Sequence, residues 1–576
     1  MGLFSLDDSQ KIAVYFPVEK SVIVEAPPGH GKTFVMARRI EYILQTGFIH
    51  PPQKILGLTF TNAAAGEMLE DIRKYLRVES QELVQVMTFH SLCYKILRAY
   101  GNVIGIDRNF SIIGELEKSR LLKNLILGVS KKSADDPISK KILTNYYGWF
   151  TEKYLKSNDT YISSYFHEEV TKLNDLYLQS LRPNQIDYNQ LLIYTIRLFE
   201  QYPNILNFYR TVFRYFLVDE FQDTNRLQFK LLQILLKGIS EQPTKLPPTP
   251  VYILADREQA IFRFQGADPE NIDVASIAFE CPPPLLLDNN YRCSSSKIRA
   301  FTNSLRGNLV KDDERIEFIL SSTPGEQADN ILEKIKNYIG PKHDICIIAQ
   351  NQWLLEETQN SLTTNNIPYV FVPDFKAKSI ETKYENIFRA IADLSTVYNS
   401  NAKLTSQIRN IFDGDNFDWK NDEVLCTLLD LASKFEQSMP KAQLWEKALL
   451  FHNDVFIEIH WGKLLRKRVH DKVFVSTIHG VKGLQFAQVH LCGLTNYGHI
   501  HNSTCTPCNF GKNIHLAKDQ LEEGRKTLYV GASRAQDELY LYATKSFSGR
   551  QRLPMCILAK YESCLDNKSR IKFCGH

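Results

Sequence analysis

The segment at residues 217–225 (LVDEFQDTN) constrains the fold of this chain more than any other segment does. Its apolar start continues a hydrophobic run that is typical of a buried strand, and the run ends in two adjacent carboxylates, Asp219 and Glu220. A third carboxylate follows at Asp223. Two acids at the carboxyl end of a buried strand can hold Mg²⁺ and polarise a water molecule. In isolation, the same pattern would also fit a strand that runs into an acidic loop.

A second segment, at residues 22–33 (VIVEAPPGHGKT), has the pattern of a phosphate-binding loop between a strand and a helix. Its glycines allow backbone N–H groups to turn inward around phosphates. Lys32 offers a positive charge to the β- and γ-phosphates, and Thr33 offers a hydroxyl to Mg²⁺. Combined with the acidic strand end, this loop predicts a nucleoside triphosphatase. The predicted phosphate-binding residues are Ala26 (where the usual pattern has glycine), Pro27, Pro28, Gly29, His30, Gly31, Lys32 and Thr33.

The composition is that of a large globular chain. At 576 residues it is too long for one core, so we expect several domains. The net charge of +4 is small, so any nucleic-acid surface must be local. No run approaches the roughly eighteen apolar residues of a membrane span, and the amino terminus lacks a signal-peptide pattern. Eleven scattered cysteines fit reduced thiols, so we expect a cytoplasmic protein without a membrane partner.

Four further apolar runs also end in polar motifs. The motifs lie at residues 59–62 (TFTN), 88–90 (TFH), 256–259 (DREQ) and 477–483 (TIHGVKG). Strands that alternate with helices and carry polar groups at their carboxyl ends predict an open parallel α/β sheet. Ligands of such sheets bind beyond those strand ends.

Taken together, the motifs resemble those of the UvrD/Rep-like (superfamily 1) helicases. The resemblance covers residues 6 to about 545 and keeps the order of the family. The segments that carry it are 6–10 (LDDSQ), 22–33, 59–62, 88–90, 217–225, 256–267 (DREQAIFRFQGA), 289–292 (NNYR), 477–486 (TIHGVKGLQF) and 522–535 (EEGRKTLYVGASRA).

The resemblance implies an α/β fold of two RecA-like P-loop domains with parallel sheets, each interrupted by a mainly helical insert. The apolar residues of the two motif-free stretches recur with a helical period. The second insert is shorter than in the well-known helicases of the family. The implied limits are 1–90 plus 211–285 for the first RecA-like domain, 91–210 for its helical insert, 286–380 plus 472–576 for the second RecA-like domain, and 381–471 for its short helical insert.

By motif position, the resemblance also implies roles in ATP hydrolysis. Lys32, Thr33 and Asp219 would hold Mg²⁺–ATP, with Thr33 and Asp219 on the metal. Glu220 would orient and deprotonate the attacking water, and Gln259 would sense the γ-phosphate. Phosphoryl transfer depends mostly on such positioning and on charge neutralisation.

Four more residues would complete the ATP site. Arg292 and Arg534 would face the γ-phosphate from the second domain when the cleft closes, although either arginine alone would be read as an ordinary surface residue. Gln10 has both a donor and an acceptor on its amide, which suits the adenine edge. Tyr291 would stack on the adenine.

Single-stranded DNA would be held by aromatic stacking, which contributes about 1–3 kcal/mol per base without sequence preference. By motif position, the implied DNA-binding residues are Phe60, Thr61, Asn62, His90, Phe262, Arg263, Phe264 and His479. A basic run at residues 463–468 is more typical of a solvated helix face, with DNA contact as the alternative.

The chain departs from the family pattern at several positions. Gln265 stands where the family usually has arginine, Gln485 where it has glutamate, and Phe34 where relatives often have arginine. A neutral amide cannot replace a fixed charge, so we expect altered coupling between ATP and DNA but intact ATP hydrolysis. Cys505 and Cys508 near two histidines could bind zinc, but free thiols in a loop fit the pattern better.

The resemblance implies a 3′→5′ translocase or helicase that couples ATP hydrolysis to movement on single-stranded or tailed duplex DNA, in DNA repair or anti-phage defence. The alternative is a DNA-sensing ATPase subunit, as in a defence complex of the Gabija type, that regulates a partner nuclease without processive unwinding. Few residues follow Arg534, so we expect any nuclease of the pathway to be a separate chain. The preferred DNA structure stays open.

Overall fold

The computed structural model of the chain describes most of its length. The described residues are 5–60, 62–76, 81–113, 115–155, 166–239, 246–261, 270–307, 315–375, 387, 390–391, 393–394, 397, 400–414, 419–420, 422–438, 443–445, 447–448, 451, 471–495 and 514–566.

Strands along the described residues are short and separated mainly by helices. In chain order they are β1 (Val22–Glu25), β2 (Lys54–Thr59), β3 (Val84–Thr88), β4 (Ser111–Ile112), β5 (Gln185–Ile186), β6 (Phe213–Val218), β7 (Val251–Ala255), β8 (Leu285–Leu286), β9 (Ile316–Ser321), β10 (Ile345–Ala349), β11 (Tyr369–Phe371), β12 (Val473–Thr477), β13 (Phe486–Leu491), β14 (Ala535–Thr544), β15 (Ser546–Phe547), β16 (Arg550–Gln551) and β17 (Leu565–Asp566).

Helices cover both faces of the sheets and form the inserts. The α-helices are Asp8–Val14, Lys32–Gln45, Asn62–Tyr75, Phe89–Tyr100, Glu115–Ser130, Pro137–Leu155, His167–Ser180, Tyr188–Gln201, Pro203–Val212, Arg226–Lys237, Asn271–Ala278, Ser296–Leu305, Pro324–Asn337, Glu356–Thr364, Leu404–Gly414, Glu423–Ser438 and Ile514–Ala532.

The first sheet has six strands in the order β3–β2–β6–β7–β1–β8, and every neighbouring pair is parallel. Tyr215 and Leu217 of β6 belong to one buried cluster, whereas Phe216 and Val218 belong to another. Alternate side chains of a strand point to opposite faces, so β6 is buried on both sides of the sheet. This explains why its sequence is a continuous apolar run. Because all strands are parallel, their carboxyl ends meet along one edge.

The first helical insert connects β3 to β6. Its helices are tied together by a buried ion pair between Lys118 Nζ and Asp187 Oδ2, 2.9 Å apart. The Tyr177 hydroxyl donates to the same carboxylate at 2.9 Å. The other oxygen of Asp187 accepts from the backbone N–H of Gln190 at 2.7 Å and so caps the helix Tyr188–Gln201. The buried Asp187 carboxylate therefore joins three helices of the insert through Lys118, Tyr177 and Gln190.

The second sheet has seven strands in the order β11–β12–β10–β13–β14–β9–β17, again parallel throughout. The described part of the second insert contains two packed helices, Leu404–Gly414 and Glu423–Ser438. The second of these also packs against helix Asn62–Tyr75 of the first domain. Nearby, the Trp445 ring lies 5.3 Å from the ring of Tyr94. The second insert therefore contacts the first domain.

The predicted fold class is confirmed by two parallel sheets with helices on both faces. Each polar motif that the sequence placed after an apolar run follows a strand, as β2, β3, β6, β7 and β12 show. The exact domain limits stay a prediction, although β8 of the first sheet includes Leu286, one residue beyond the predicted limit. Among the described helices, none is both long and apolar enough to cross a bilayer.

Candidate nucleotide site

The predicted phosphate loop connects the end of β1 to helix Lys32–Gln45. Gly29 and Gly31 have φ angles of +87° and +79°, a region that side-chain-bearing residues rarely adopt. A Cβ atom on Gly29 would also lie 2.4 Å from Asn290 Oδ1. Both glycines are therefore required by the shape of the loop, which opens onto the first turn of the helix. Helix amino termini attract phosphates through free N–H groups.

Lys32, at the start of that helix, meets the two carboxylates that follow β6. Its Nζ lies 3.0 Å from Asp219 Oδ1 and also donates to Glu220 Oε1. Glu220 has a φ of +51°, which is unusual for a residue with a side chain. Gln222 Nε2 donates to the second oxygen of Glu220 at 2.5 Å. The backbone and Gln222 together hold the Glu220 carboxylate beside Lys32.

The charges of this cluster are coupled. Burial raises the pKa of Asp219, and the neighbouring Glu220 charge adds to this, against the pull of Lys32. Burial also works to raise the pKa of Glu220, but Lys32 and then Lys482 lower that pKa to about 2. Glu220 is therefore ionised at neutral pH, as a residue that orients water must be.

The donor set fits Mg²⁺. One ammonium faces two carboxylates, so the charges of Lys32, Asp219 and Glu220 do not balance. A divalent cation would neutralise the remaining negative charge. Thr33 follows Lys32 in the first turn of the helix. No group of three or more His, Cys, Asp or Glu side chains suited to a metal occurs among the described residues. Mg²⁺ commonly binds through one or two protein groups plus phosphates and water, so such a cage is not needed.

Gln259 and Arg534 meet across the boundary between the two domains. Arg534 is 1% exposed, and its Nη2 donates to Gln259 Oε1 at 3.2 Å. Its Nε donates to Val530 O at 2.9 Å. Burial, followed by the charge of Arg292, lowers the pKa of Arg534 to about 10, so the guanidinium stays charged at neutral pH. The predicted sensor and one predicted phosphate cation are thus in direct contact.

A cavity of about 500 Å³ separates the phosphate loop from the second domain. Pro28 and His30 of the first domain and Arg306 and Tyr529 of the second domain are among the residues that line it. Arg292 lines it as well, and burial lowers its pKa to about 10. The backbone of this segment contacts the phosphate loop, because the Tyr291 N–H donates to Gly29 O at 2.8 Å. Arg292 therefore lines the cavity, whereas Arg534 is buried beside Gln259 at the domain boundary.

The predicted adenine-binding residues lie beside the phosphate loop. Gln10 Nε2 donates to His30 O at 3.3 Å, and Gln10 Oε1 accepts from Asp7 N at 3.3 Å. Tyr291 is 60% exposed, and its hydroxyl donates to Asp7 Oδ2 at 2.5 Å. The Tyr291 ring thus presents an open aromatic face, whereas the Gln10 amide is already engaged by the backbone.

Three predicted DNA-binding residues can be placed. Phe60 follows β2, His90 lies in the first turn after β3, and His479 follows β12; all three are partly buried. Burial lowers the pKa of His90 to about 4, so its ring is neutral at pH 7. The ring packs edge-on against Tyr188 of the first insert, with centroids 5.2 Å apart.

The remaining predictions for DNA, zinc and coupling fall partly outside the described residues. Of Asn62, only the backbone position at the start of a helix is described. Outside the described residues lie Thr61, Phe262, Arg263, Phe264, Gln265, the basic run at 463–468, Cys505 and Cys508.

Two departures from the family pattern can be placed. Gln485 Oε1 accepts from Gln536 Nε2 at 3.1 Å, so its amide joins two segments of the second domain. The Phe34 ring meets Tyr75 edge-on at 5.7 Å, and the Arg38 guanidinium lies 5.3 Å from it. Phe34 therefore packs between helices.

Several residues of the site were not assigned a role from the sequence. Lys482 Nζ lies 2.7 Å from Asp223 Oδ2 and also donates to Gln259 O at 2.9 Å. Asp223 lies in the motif at residues 217–225 and Lys482 in the motif at residues 477–486, so motif position could have marked both as residues of the site. Arg306 Nη1 donates to Asp256 Oδ1 at 2.7 Å. No motif marks Arg306, and its contact depends on how the second domain faces the first.

Two parallel sheets that share a cleft, with a phosphate loop at the edge of one sheet, define a two-domain P-loop nucleoside triphosphatase. Two family models refine this class. The model of the UvrD/REP helicase N-terminal domain matches residues 6–280, and that of the UvrD-like helicase C-terminal domain matches residues 376–546. Together the matches cover more than two thirds of the chain, which therefore belongs to the UvrD-like helicase family.

Similar proteins agree with this family. The ATP-dependent DNA helicase PcrA of Staphylococcus aureus is 27% identical over 374 residues, covering 62% of this chain and 49% of PcrA. The PcrA of Staphylococcus epidermidis is 27% identical over 378 residues with the same coverage. A probable DNA helicase II homolog of Mycoplasma capricolum is 26% identical over 638 residues, covering 94% of this chain and 85% of the relative. The chain spans about half the length of the PcrA relatives.

Proposed function

We propose that the chain is an ATP-dependent motor that moves along single-stranded DNA and can separate tailed duplexes. The observation that carries the proposal is the contact of Lys32 Nζ with Asp219 Oδ1, 3.0 Å apart, on the first-domain side of a boundary where Lys482 and Arg534 of the second domain contact Asp223 and Gln259. The names of the PcrA relatives support DNA as the substrate and ATP as the fuel.

In this proposal the chemistry is positioning and charge neutralisation. Lys32 moves away from Asp219 and Glu220 and binds the β- and γ-phosphates. Glu220 orients the attacking water and accepts its proton. Arg292 and Arg534 approach the γ-phosphate from the far side of the cleft. Mg²⁺, when bound at Thr33 and Asp219, neutralises phosphate charge.

The proposal couples hydrolysis to DNA through the strand ends. Phe60 and His90 follow neighbouring strands of the first sheet, and His479 follows a strand of the second sheet. A strand of DNA that touches both domains would be moved when the cleft closes and opens. The family resemblance supports the 3′→5′ direction.

The first test is hydrolysis by the Glu220→Gln variant. Because the general base is lost while the phosphate loop is intact, DNA-stimulated turnover should fall by about 10²–10⁴-fold with ATP affinity retained. Phosphate release with and without single-stranded DNA measures turnover, and binding of a fluorescent ATP analogue measures affinity. Glu19→Gln changes an exposed carboxylate and serves as the control. Unchanged turnover in Glu220→Gln would reject the role of Glu220.

A second test uses duplexes with a 3′ or a 5′ single-stranded tail. Unwinding of the 3′-tailed duplex alone supports a 3′→5′ helicase, and unwinding of the 5′-tailed duplex alone contradicts the direction. ATP hydrolysis without unwinding, together with co-purification of a nuclease, would favour the regulatory ATPase. Absence of DNA-stimulated hydrolysis would overturn the proposed motor.

A further inference from the structure

The two domains meet at the 3₁₀ turn Arg257–Gln259, which follows β7. Asp256, just before this turn, is 2% exposed and accepts hydrogen bonds from two residues of the second domain. Arg306 Nη1 donates to Oδ1 at 2.7 Å, and the Tyr529 hydroxyl donates to Oδ2 at 3.3 Å. Arg306 also donates to the Tyr529 hydroxyl at 3.0 Å. We call Asp256, Arg306 and Tyr529 the Asp256 triad.

The Asp256 triad fixes the amide of Gln259, the predicted γ-phosphate sensor. Gln259 Nε2 donates to Asp256 Oδ2 at 3.0 Å, which directs Oε1 away from Asp256. That oxygen accepts from Arg534 Nη2 at 3.2 Å. If the amide were reversed, its NH₂ group would face the donors of Arg534. The orientation of Gln259 therefore depends on the Asp256 carboxylate.

Asp256 is also connected to the predicted catalytic carboxylate. Gln222 Oε1 accepts from the backbone N–H of Asp256 at 3.0 Å, and Gln222 Nε2 donates to Glu220 Oε2 at 2.5 Å. Hydrogen bonds therefore connect Glu220 to Arg306 through Gln222 and Asp256. Gln222 and Asp256 are buried, and hydrogen bonds are strong where water is excluded.

We propose that Arg306 is a positioning residue that couples closure of the two domains to alignment of Gln259 and Glu220 for ATP hydrolysis. The proposal rests on the proposed function, because it assigns a step of that same ATP site. Arg306 also lines the same cavity as Pro28 and His30 of the phosphate loop. When the second domain moves away, Arg306 leaves Asp256, so the carboxylate that orients the Gln259 amide is itself no longer fixed. Hydrolysis is then restricted to the closed arrangement.

A neighbouring ion pair provides a matched control. Arg525 Nη2 of the second domain lies 2.5 Å from Glu258 Oε2, in the same 3₁₀ turn as Gln259. This pair also joins the two domains, but the other contacts of Arg525 lead to Glu522 and to the carbonyl of Leu305. Loss of Arg525 therefore removes a link between the domains but breaks none of the hydrogen bonds within the Asp256 triad.

The experiment compares Arg306→Gln with Arg525→Gln in the full chain. Turnover with saturating single-stranded DNA is measured over a range of ATP concentrations, which separates kcat from KM. We expect Arg306→Gln to lower kcat about tenfold and to change KM less than about threefold, because misalignment affects the transition state more than ATP binding. Arg525→Gln should change both by less than about threefold. Arg306→Lys keeps a cation for Asp256 but not the planar group that also contacts Tyr529, so its kcat should lie between those of the wild type and Arg306→Gln.

The outcomes separate this proposal from its foundation. Equal losses of kcat in Arg306→Gln and Arg525→Gln would mean that both arginines only hold the two domains together. This result would overturn the positioning role of Arg306. A rise of KM alone would also contradict it. If thermal unfolding shows that Arg306→Gln does not fold, Arg306→Lys decides, since a rise of KM without a loss of kcat in that variant would contradict the role of Arg306. A wild-type chain without DNA-stimulated hydrolysis overturns the proposed function instead.

Discussion

At the scale of single residues, Lys32 is shared between two carboxylates. It lies 3.0 Å from Asp219 and also donates to Glu220, and all three side chains are largely buried. Without the ammonium, two adjacent acids would be left uncompensated away from water. A triphosphate therefore competes with Asp219 and Glu220 for the same cation.

Lys32→Met should remove the cation for which the triphosphate competes with Asp219 and Glu220. We expect ATP affinity and DNA-stimulated turnover to fall together, turnover by about 10²-fold or more, because a charge that faces the phosphates is lost. Steady-state phosphate release and binding of a fluorescent ATP analogue measure the two effects. Lys11→Met removes an exposed lysine that pairs with Asp8 and should leave both quantities unchanged. Full turnover in Lys32→Met would contradict the assigned cleft.

At the scale of secondary-structure elements, strand β13 carries a buried histidine. His490 Nδ1 lies 2.9 Å from the Tyr542 hydroxyl, and Nε2 lies 2.9 Å from Gln488 Oε1. The ring also stacks on Tyr540, with centroids 5.2 Å apart. Burial, followed by the charge of Lys334, lowers the pKa of His490 from 6.5 to about 3. The strand is therefore built around a neutral imidazole.

This pKa shift predicts acid sensitivity of the second sheet. The unfolded chain takes up a proton at His490 near pH 6.5, whereas the folded chain does so only near pH 3. The contribution of His490 to stability is thus fully present above pH 6.5 and is lost as the pH falls below that value. Thermal unfolding from pH 7.5 to 4.5 should show a smaller decline in His490→Gln than in the wild type. Equal declines would contradict the shift, and His50→Gln, at an exposed histidine, is the control.

The sequence could predict the elements because their signals are local. An apolar run that ends in Asp219, or a glycine turn before Lys32, specifies a strand end or a helix start within a few residues. Parallel pairing then brings the two to one edge of the sheet. The left-handed backbone of Glu220, with a φ of +51°, has no such signal, since glutamate does not favour it. Arg306 could not be predicted either, because its partner Asp256 lies in another domain.

At the scale of the whole molecule, three ion pairs between described residues join the first domain to the second at one boundary. They are Asp223–Lys482, Asp256–Arg306 and Glu258–Arg525. All three acids lie in or next to the turns that follow β6 and β7, close to Glu220 and Gln259. Asp256 accepts from the Gln259 amide and Lys482 donates to Gln259 O, so movement of one domain relative to the other acts on Gln259 through the first two pairs. A motor requires such a connection between hydrolysis and domain movement.

The Asp223–Lys482 pair predicts a pH dependence of this boundary. Burial raises the pKa of Asp223 from 3.8 to about 6, even though Lys482 opposes the shift. Between these two values the folded chain holds a proton that the unfolded chain has lost. The contribution of Asp223 to stability is therefore present below pH 3.8 and is lost as the pH rises through about 6. The ionic link to Lys482 strengthens over the same range, because Asp223 becomes charged. The attraction between the two charges does not fully offset the cost of burying them.

Asp223→Asn removes the titrating group and keeps its shape. We expect the unfolding midpoint of Asp223→Asn, relative to the wild type, to rise as the pH goes from 5 to 7, because only the wild type must bury a new charge. The DNA-stimulated kcat of Asp223→Asn, relative to that of the wild type, should fall over the same pH range. The variant lacks the ionic link to Lys482 that the wild type gains above pH 6. Asp135→Asn, at an exposed aspartate paired with Lys140, should follow the wild type in both measurements. A constant difference in midpoint across this range would show that Asp223 titrates elsewhere.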